Sequence, residues 1–164
     1  MFRRDLFRYA ASAGVISMFG PLARAGSDVL LTVDSRGDGS MLKQFTDADL
    51  MALPQAEFMT STIWTAGVST FSGPTLASVL EAADAADGVL QMTAVNDYKV
   101  DVPRAIVEPN VPILANRIDG KPFGIRDKGP LWLMFPFDSD SRYQSEEVYS
   151  FSIWQLTQIK VRQE

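Results

Sequence analysis

A group of polar and aromatic side chains in this sequence is suited to holding a flat, amide-rich heterocycle. Trp64 follows a hydroxyl-rich run containing Thr60 and Thr62. Asn96, Asp97 and Tyr98 are consecutive, between two β-prone stretches. Arg117 precedes a Gly- and Pro-rich bend that carries Arg126, Asp127 and Lys128, with Trp132 just beyond it. An indole offers a stacking face. A carboxylate accepts two parallel N–H bonds from a guanidine-like ring edge, in the fork geometry that arginine uses with carboxylates. Asn and Arg complete the carbonyl and nitrogen positions of such a ring. Each residue also has a plainer role: Asn-Asp pairs are ordinary turn formers, and Arg126 to Lys128 suit an internal salt bridge that fixes the bend.

Other chemistry is closed to this chain. It has no cysteine and no histidine. That removes Ser–His and Cys–His nucleophile pairs, the usual zinc ligands and the histidine or cysteine ligation of haem. No Walker loop or dinucleotide fingerprint is present. Carboxylate-pair catalysis remains open in principle, but no pair stands out from the surface charge. The loop Asp34-Ser-Arg-Gly-Asp-Gly-Ser40 lacks the third oxygen ligand and the bidentate Glu of a calcium loop, so it reads as a polar turn.

The elements that position these residues follow from periodicity and punctuation. With 164 residues, 46% hydrophobic and 21% charged, the chain has enough apolar content for one packed core. A strand is expected over 29–33. A helix should start at Thr46, with Asp49 in capping-box position, and stop at Pro54. Residues 57–64 read as a strand. A second helix should start at Pro74, bury Leu76, Val79, Leu80 and Ala83 along one stripe, and close at Gly88. Residues 89–95 and 98–102 should be strands joined by a tight Asn96-Asp97 turn, and 113–118 a strand ending in an Asp119-Gly120 hairpin signal. Residues 131–135 should form an apolar strand, 144–149 a helical turn, and 151–161 the closing strand. Strands outnumber helices and the links are mostly hairpins, so the expected class is α+β with mixed β-sheets and a few short helices.

Residues 1–25 read as a signal peptide rather than as fold. Arg3, Arg4 and Arg8 form a basic start, residues 9–22 an apolar stretch too short to span a bilayer, and Ala23-Arg24-Ala25 a cleavage site before Gly26. Arg3-Arg4 also resembles a twin-arginine signal. The expectation is a periplasmic protein, exported by the general secretory or twin-arginine route and not embedded in a membrane after cleavage, with one domain over 26–164. Cleavage removes four arginines and one aspartate, leaving 11 basic against 19 acidic side chains, net −8. An acidic domain is a poor partner for nucleic acid or anionic lipid.

Beyond single residues, the chain resembles the molybdopterin-binding domain of the sulfite oxidase family. The carriers are Phe71-Ser-Gly-Pro-Thr-Leu-Ala-Ser-Val-Leu80, Ala94-Val-Asn-Asp-Tyr98, Arg117-Ile-Asp-Gly-Lys-Pro-Phe123 leading to Arg126-Asp-Lys-Gly-Pro-Leu-Trp-Leu133, and the ending Ser152-Ile-Trp-Gln-Leu-Thr-Gln-Ile-Lys-Val161. The resemblance implies a sulfite oxidase-type fold over nearly the whole of 26–164. In that family a cysteine thiolate on the strand before the aromatic-Gly motif binds the metal. The matching stretch here is Thr60-Ser61-Thr62-Ile63-Trp64, and a hydroxyl does not replace a thiolate on molybdenum.

The chain is more similar to a small exported, cysteine-lacking branch of the family. That likeness implies a non-catalytic protein that binds a free reduced pterin and reports it to the periplasmic domain of a membrane sensor that makes or degrades cyclic diguanylate. It assigns ring stacking to Trp64 and the grip on the 2-amino-pyrimidine edge to Asp97 or Asp127. Asn96, Tyr98, Arg117 and Arg126 would complete the polar contacts, and Lys128 would position the bend. The alternatives are a molybdopterin-dependent oxidoreductase without the cysteine ligand, and a structural subunit that has lost its ligand.

Overall fold

A computed structural model describes residues 28–163. The expected signal peptide therefore lies outside the described residues. Along the chain run β1 (Val29–Asp34), β2 (Leu42–Thr46), α1 (Asp47–Met51), β3 (Gln55–Ser61), β4 (Val68–Pro74), α2 (Leu76–Ala82), β5 (Val89–Ala94), β6 (Lys99–Val102), β7 (Ile113–Ala115), β8 (Arg117–Ile118), β9 (Trp132–Met134), α3 (Glu146–Phe151) and β10 (Leu156–Arg162). Short 3-10 turns cover Arg104–Ile106, Ile125–Asp127 and Ser141–Tyr143. The class is α+β, dominated by sheet.

The strands form three sheets, ordered β2-β1-β10-β5-β6, β3-β4-β8 and β7-β9. β1 and β10 pair in parallel, and every other pairing is antiparallel. β10, last in sequence, becomes the centre of the five-stranded sheet because Leu156, Ile159 and Val161 are fully buried. Fully burying such side chains contributes about 1.5–3 kcal/mol each.

Local signals explain most boundaries. Thr46 caps α1, its hydroxyl accepting from Asp49 N while the Asp49 carboxylate accepts from Thr46 N, a complete capping box. The stripe of Leu76, Val79, Leu80 and Ala83 is buried as its spacing requires.

Five expectations shift. The second helix begins at Leu76, two residues after Pro74, which closes β4; Thr75 is the cap, accepting from Ser78 N. It ends at Ala83 rather than Gly88, because Asp84 takes the left-handed conformation (φ 49°) and Ala85 N donates to Leu80 O, a Schellman-type ending. Gly88 instead lies against the Arg162 carbonyl, where a Cβ would collide. β3 stops at Ser61, three residues before Trp64, because Thr62 turns the chain.

The single strand expected over 113–118 is two strands in different sheets. β8 pairs with β4 through Phe71 and Ser72, and then Gly73 lets the Leu114 backbone cross β4 at a distance that no side chain allows. The closing strand is also shorter than expected: Phe151 belongs to α3, and Trp154 makes only an isolated bridge to Trp132. β2 and β4 carry no signal that sequence periodicity picks up.

Candidate functional site

The three tryptophans of the chain, Trp64, Trp132 and Trp154, meet in one cluster. Trp64 is the hub. Its ring centroid lies 5.8 Å from Trp132, 5.8 Å from Trp154, 6.0 Å from Tyr149 and 6.2 Å from Phe137. Edge-to-face pairs of this kind each contribute about 0.5–1.5 kcal/mol beyond the area they bury. Trp132 forms the floor, fully buried, its indole N–H donating to Ser152 O at 3.1 Å.

A cleft of about 450 Å³ opens beside this cluster. Three segments build it. The first is the turn after β3. Thr62 Oγ1 accepts from Trp64 N at 3.1 Å and Thr65 N at 2.9 Å, and bonds the Thr65 hydroxyl at 2.7 Å. A Thr-anchored turn of this kind sets the indole's direction without a sheet ladder. The second is the β5–β6 hairpin, whose turn puts Asn96 and Tyr98 on the lining. Asn96 Oδ1 accepts from Tyr98 N at 3.2 Å, and Asp97 takes φ 63°, a left-handed conformation that Asp tolerates. The third is α3 and the residues after it. Ser145 caps α3 by accepting from Val148 N, and Glu146 sits in its first turn, where the helix dipole favours a negative charge. Glu146, Tyr149 and Ser150, spaced i, i+3 and i+4, share one face and line the cleft, joined by Ser152 and Trp154.

Among the described residues the lining thus combines aromatic faces, hydroxyls and one amide with a single charged side chain, Glu146. Among the described residues, no lysine or arginine lines it. Such a lining offers aromatic surface to a planar ring and two carboxylate oxygens to N–H donors.

Of the residues singled out from sequence, Trp64, Asn96 and Tyr98 meet in this cleft. Trp132 backs it and Thr62 holds its turn. Thr60 is buried beneath it: its hydroxyl accepts from Asp138 N and donates to Ser61 O, both at 3.1 Å. The Asp138 carboxylate in turn accepts from Ser61 N at 2.5 Å and Ser61 Oγ at 2.7 Å. These bonds, the Ser61 backbone N–H first, hold its carboxyl below the ordinary aspartate range. They latch the end of β3 to the segment after β9.

Arg117 lies elsewhere. It forms a two-pronged pair with Asp47, Nη1 to Oδ1 at 2.9 Å and Nη2 to Oδ2 at 2.7 Å, and also donates to Asn116 O. It ties β8 to α1, outside the cleft lining, with three N–H bonds committed to Asp47 and Asn116. Arg126 and Asp127 are exposed on their 3-10 turn, outside the cleft lining. Asp97 is on the hairpin turn but not on the lining. Lys128 takes φ 71°, places its ammonium 5.8 Å from the Trp132 ring centroid and accepts Gln155 N on its carbonyl, which fixes the bend against β10. Sequence reading missed Glu146, Tyr149, Ser150, Ser152 and Trp154. The spacing of Glu146, Tyr149 and Ser150 within an expected helical turn was the available signal.

The Asp47–Arg117 pair carries a pH prediction. The hydrogen bonds from Arg117 are the main cause holding the Asp47 carboxyl below its ordinary value. A depressed carboxylate stabilises the fold above its unfolded pKa and loses that contribution as pH falls through the lower folded value. Asp47→Asn is expected to cost about 0.5–1 kcal/mol at pH 7, since the carboxylate is partly exposed and screened. The gap to the unaltered protein should start to narrow near about pH 4, the unfolded value, and close only below the lower folded value. Urea unfolding at several pH values checks this; an unchanged gap at the most acidic pH overturns it.

Among the described residues, no group of three or more Asp or Glu side chains is placed to hold a metal ion, and no helix is long and apolar enough to cross a membrane.

No protein-family model matches the chain, and no curated protein sequence does. Among solved structures it aligns with the sulfane dehydrogenase SoxCD from Paracoccus pantotrophus, with a TM-score of 0.62 and 14% sequence identity. The alignment covers 84% of this chain and 39% of that one, so the chain spans well under half of the dehydrogenase's length. At this identity the likeness is one of fold: the chain shares the α+β fold of part of an oxidoreductase.

Proposed function

We propose that this chain is an exported, non-catalytic pterin-binding protein on a sulfite oxidase-type scaffold. It holds a free reduced pterin in the cleft lined by Trp64, Tyr98, Tyr149 and Trp154. The cleft's composition carries this reading: aromatic walls, Asn96 and a lone carboxylate. Glu146 takes the role that sequence alone left to Asp97 or Asp127, accepting the two N–H groups of the 2-amino-pyrimidine edge. Asn96 and the hydroxyls serve the ring's remaining polar atoms.

The same features disfavour a molybdopterin-dependent oxidoreductase. The hydroxyls of Thr60, Ser61 and Thr62, in the stretch that matches the family's metal-binding strand, are all engaged within the protein. Hydroxyls are in any case poor substitutes for a thiolate on a soft metal. Among the described residues the cleft is lined by Glu146 and by no basic side chain, which does not suit the phosphate of molybdopterin. The residues present do not fit that cofactor.

The partner in this reading is the periplasmic domain of a membrane-bound enzyme that makes or degrades cyclic diguanylate, so that pterin supply tunes attachment and biofilm formation. The exposed apolar rim supports a surface read by another protein: Ile63 is 68% exposed, Tyr98 54%, Val95 49% and Trp154 37%, each at or beside a lining residue.

Titration with 7,8-dihydropterin is expected to quench tryptophan emission saturably at micromolar ligand, because all three indoles lie in or behind the cleft. Absence of binding in that range sinks the proposal. Stoichiometric molybdenum in protein from its native host favours the oxidoreductase instead.

A further inference from the structure

The polar groups lining the aromatic cleft divide into those already engaged and those still open. Ser150 Oγ donates to Glu147 O at 2.6 Å and Ser152 Oγ to Val148 O at 3.4 Å, so the α3 backbone holds both protons. Asn96 Oδ1 accepts from Tyr98 N at 3.2 Å, which leaves the side-chain NH₂ as the open end of that amide. The Glu146 carboxylate has no hydrogen-bond partner among the described residues. The cleft therefore offers a carboxylate with both oxygens open and an amide donor.

The complement is a ring edge that carries adjacent N–H donors and then a carbonyl oxygen. In a pterin these are the 2-amino group, N3–H and O4. Guanine carries the same groups in the same order, as its 2-amino group, N1–H and O6. The two molecules differ in the second ring. Trp64, Tyr149 and Trp154 offer that ring aromatic surface, and stacking is tolerant of ring identity. Among the described residues no charged side chain other than Glu146 lines the cleft, so none is available to the second ring. A cleft of about 450 Å³ admits either bicycle. Proteins that take a base out of a duplex read it by the same combination of stacking and edge hydrogen bonds.

Resting on the pterin reading of this cleft, we propose that it also binds free guanine-type purines, through the edge they share with pterins. Glu146 is the specificity-determining residue: it accepts from the amino group and the neighbouring ring N–H, while Asn96 donates to the carbonyl. Glu146 and Asn96 are exposed, so a ligand replaces water at both. Each bond to the carboxylate is then worth about tenfold in affinity, the low end for a charged partner.

The test is a calorimetric titration of the purified protein with 7,8-dihydropterin, 9-methylguanine, 9-methylhypoxanthine and 1,9-dimethylguanine. 9-Methylguanine is expected to bind within about tenfold of 7,8-dihydropterin, since edge and stacking are both kept. 9-Methylhypoxanthine lacks the amino group and 1,9-dimethylguanine lacks the ring N–H. Each is expected to bind about tenfold or more weakly than 9-methylguanine. Glu146→Gln should bring the three purines to within about threefold of one another, because stacking remains and the paired acceptor does not. No saturable binding of 9-methylguanine, equal affinity of the three purines for the unaltered protein, or a purine preference that survives Glu146→Gln each overturns the proposal. The purine comparison uses the unaltered protein, so it decides the matter even if the variant does not fold. Binding of 7,8-dihydropterin without 9-methylguanine removes this proposal alone. Selective binding of 9-methylguanine without 7,8-dihydropterin removes the pterin reading and leaves a guanine site.

Discussion

Trp132→Ala is expected to lower the unfolding free energy by about 3–5 kcal/mol, the usual cost of truncating a large aromatic residue in a packed core. Trp132 is fully buried on β9, contacts Phe71 at 5.7 Å between ring centroids, and backs both Trp64 and Trp154. Its truncation leaves a void that β9, paired on one side with β7 and bridged to Trp154, cannot collapse to fill. It also strands the Ser152 carbonyl that accepts the indole N–H. Native domains are stable by only about 5–15 kcal/mol, so this one change removes a large share of the total. Urea unfolding followed by far-ultraviolet circular dichroism measures it. A loss below about 1 kcal/mol, typical of a surface substitution, would show that Trp132 does not anchor the packing of β9.

Glu146→Gln is expected to weaken 7,8-dihydropterin binding about 10- to 150-fold, the equivalent of about 1.5–3 kcal/mol for a charged hydrogen-bond partner. The substitution keeps the shape of the side chain. It replaces an oxygen that accepts a ring N–H with an NH₂ that opposes it. Asp97→Asn and Asp127→Asn are the informative comparisons. Neither residue is on the cleft lining, so both should keep affinity within about twofold, the range of surface substitutions. Calorimetric titration of the three variants separates the assignments. If Asp97→Asn or Asp127→Asn shows the large loss and Glu146→Gln does not, the carboxylate assignment made from the cleft is wrong.

Much of the scaffold was legible from local rules. The Thr46–Asp49 capping box, the stripe of Leu76, Val79, Leu80 and Ala83, and the Asn96-Asp97 hairpin turn depend on residues a few positions apart, and each forms as read. The misreadings cluster where distant backbone decides. Residues 113–118 look like one strand because nothing between Ile113 and Ile118 punctuates the run, and only the crossing at Gly73 splits them between sheets. Gly88 looked like a helix stop, yet its reason is the approach of the Arg162 carbonyl from the far end of the chain.

The candidate site divides in the same way. Sequence by itself determined which chemistry was open: with neither thiolate nor imidazole, this chain offers aromatic faces, amides, hydroxyls and carboxylates. It also singled out Trp64, Asn96 and Tyr98, which the fold brings to one cleft. Only the tertiary structure decided which charged groups remain free to act there. Arg117 is held by Asp47, five strands and a helix away in sequence, and the Thr60 hydroxyl is engaged by the Asp138 backbone N–H. Glu146, unremarkable as a surface acid, becomes the single charge on the lining because α3 presents it beside Tyr149. Residue type sets what a side chain can donate or accept; whether that capacity is already spent depends on partners that only folding brings within hydrogen-bonding distance.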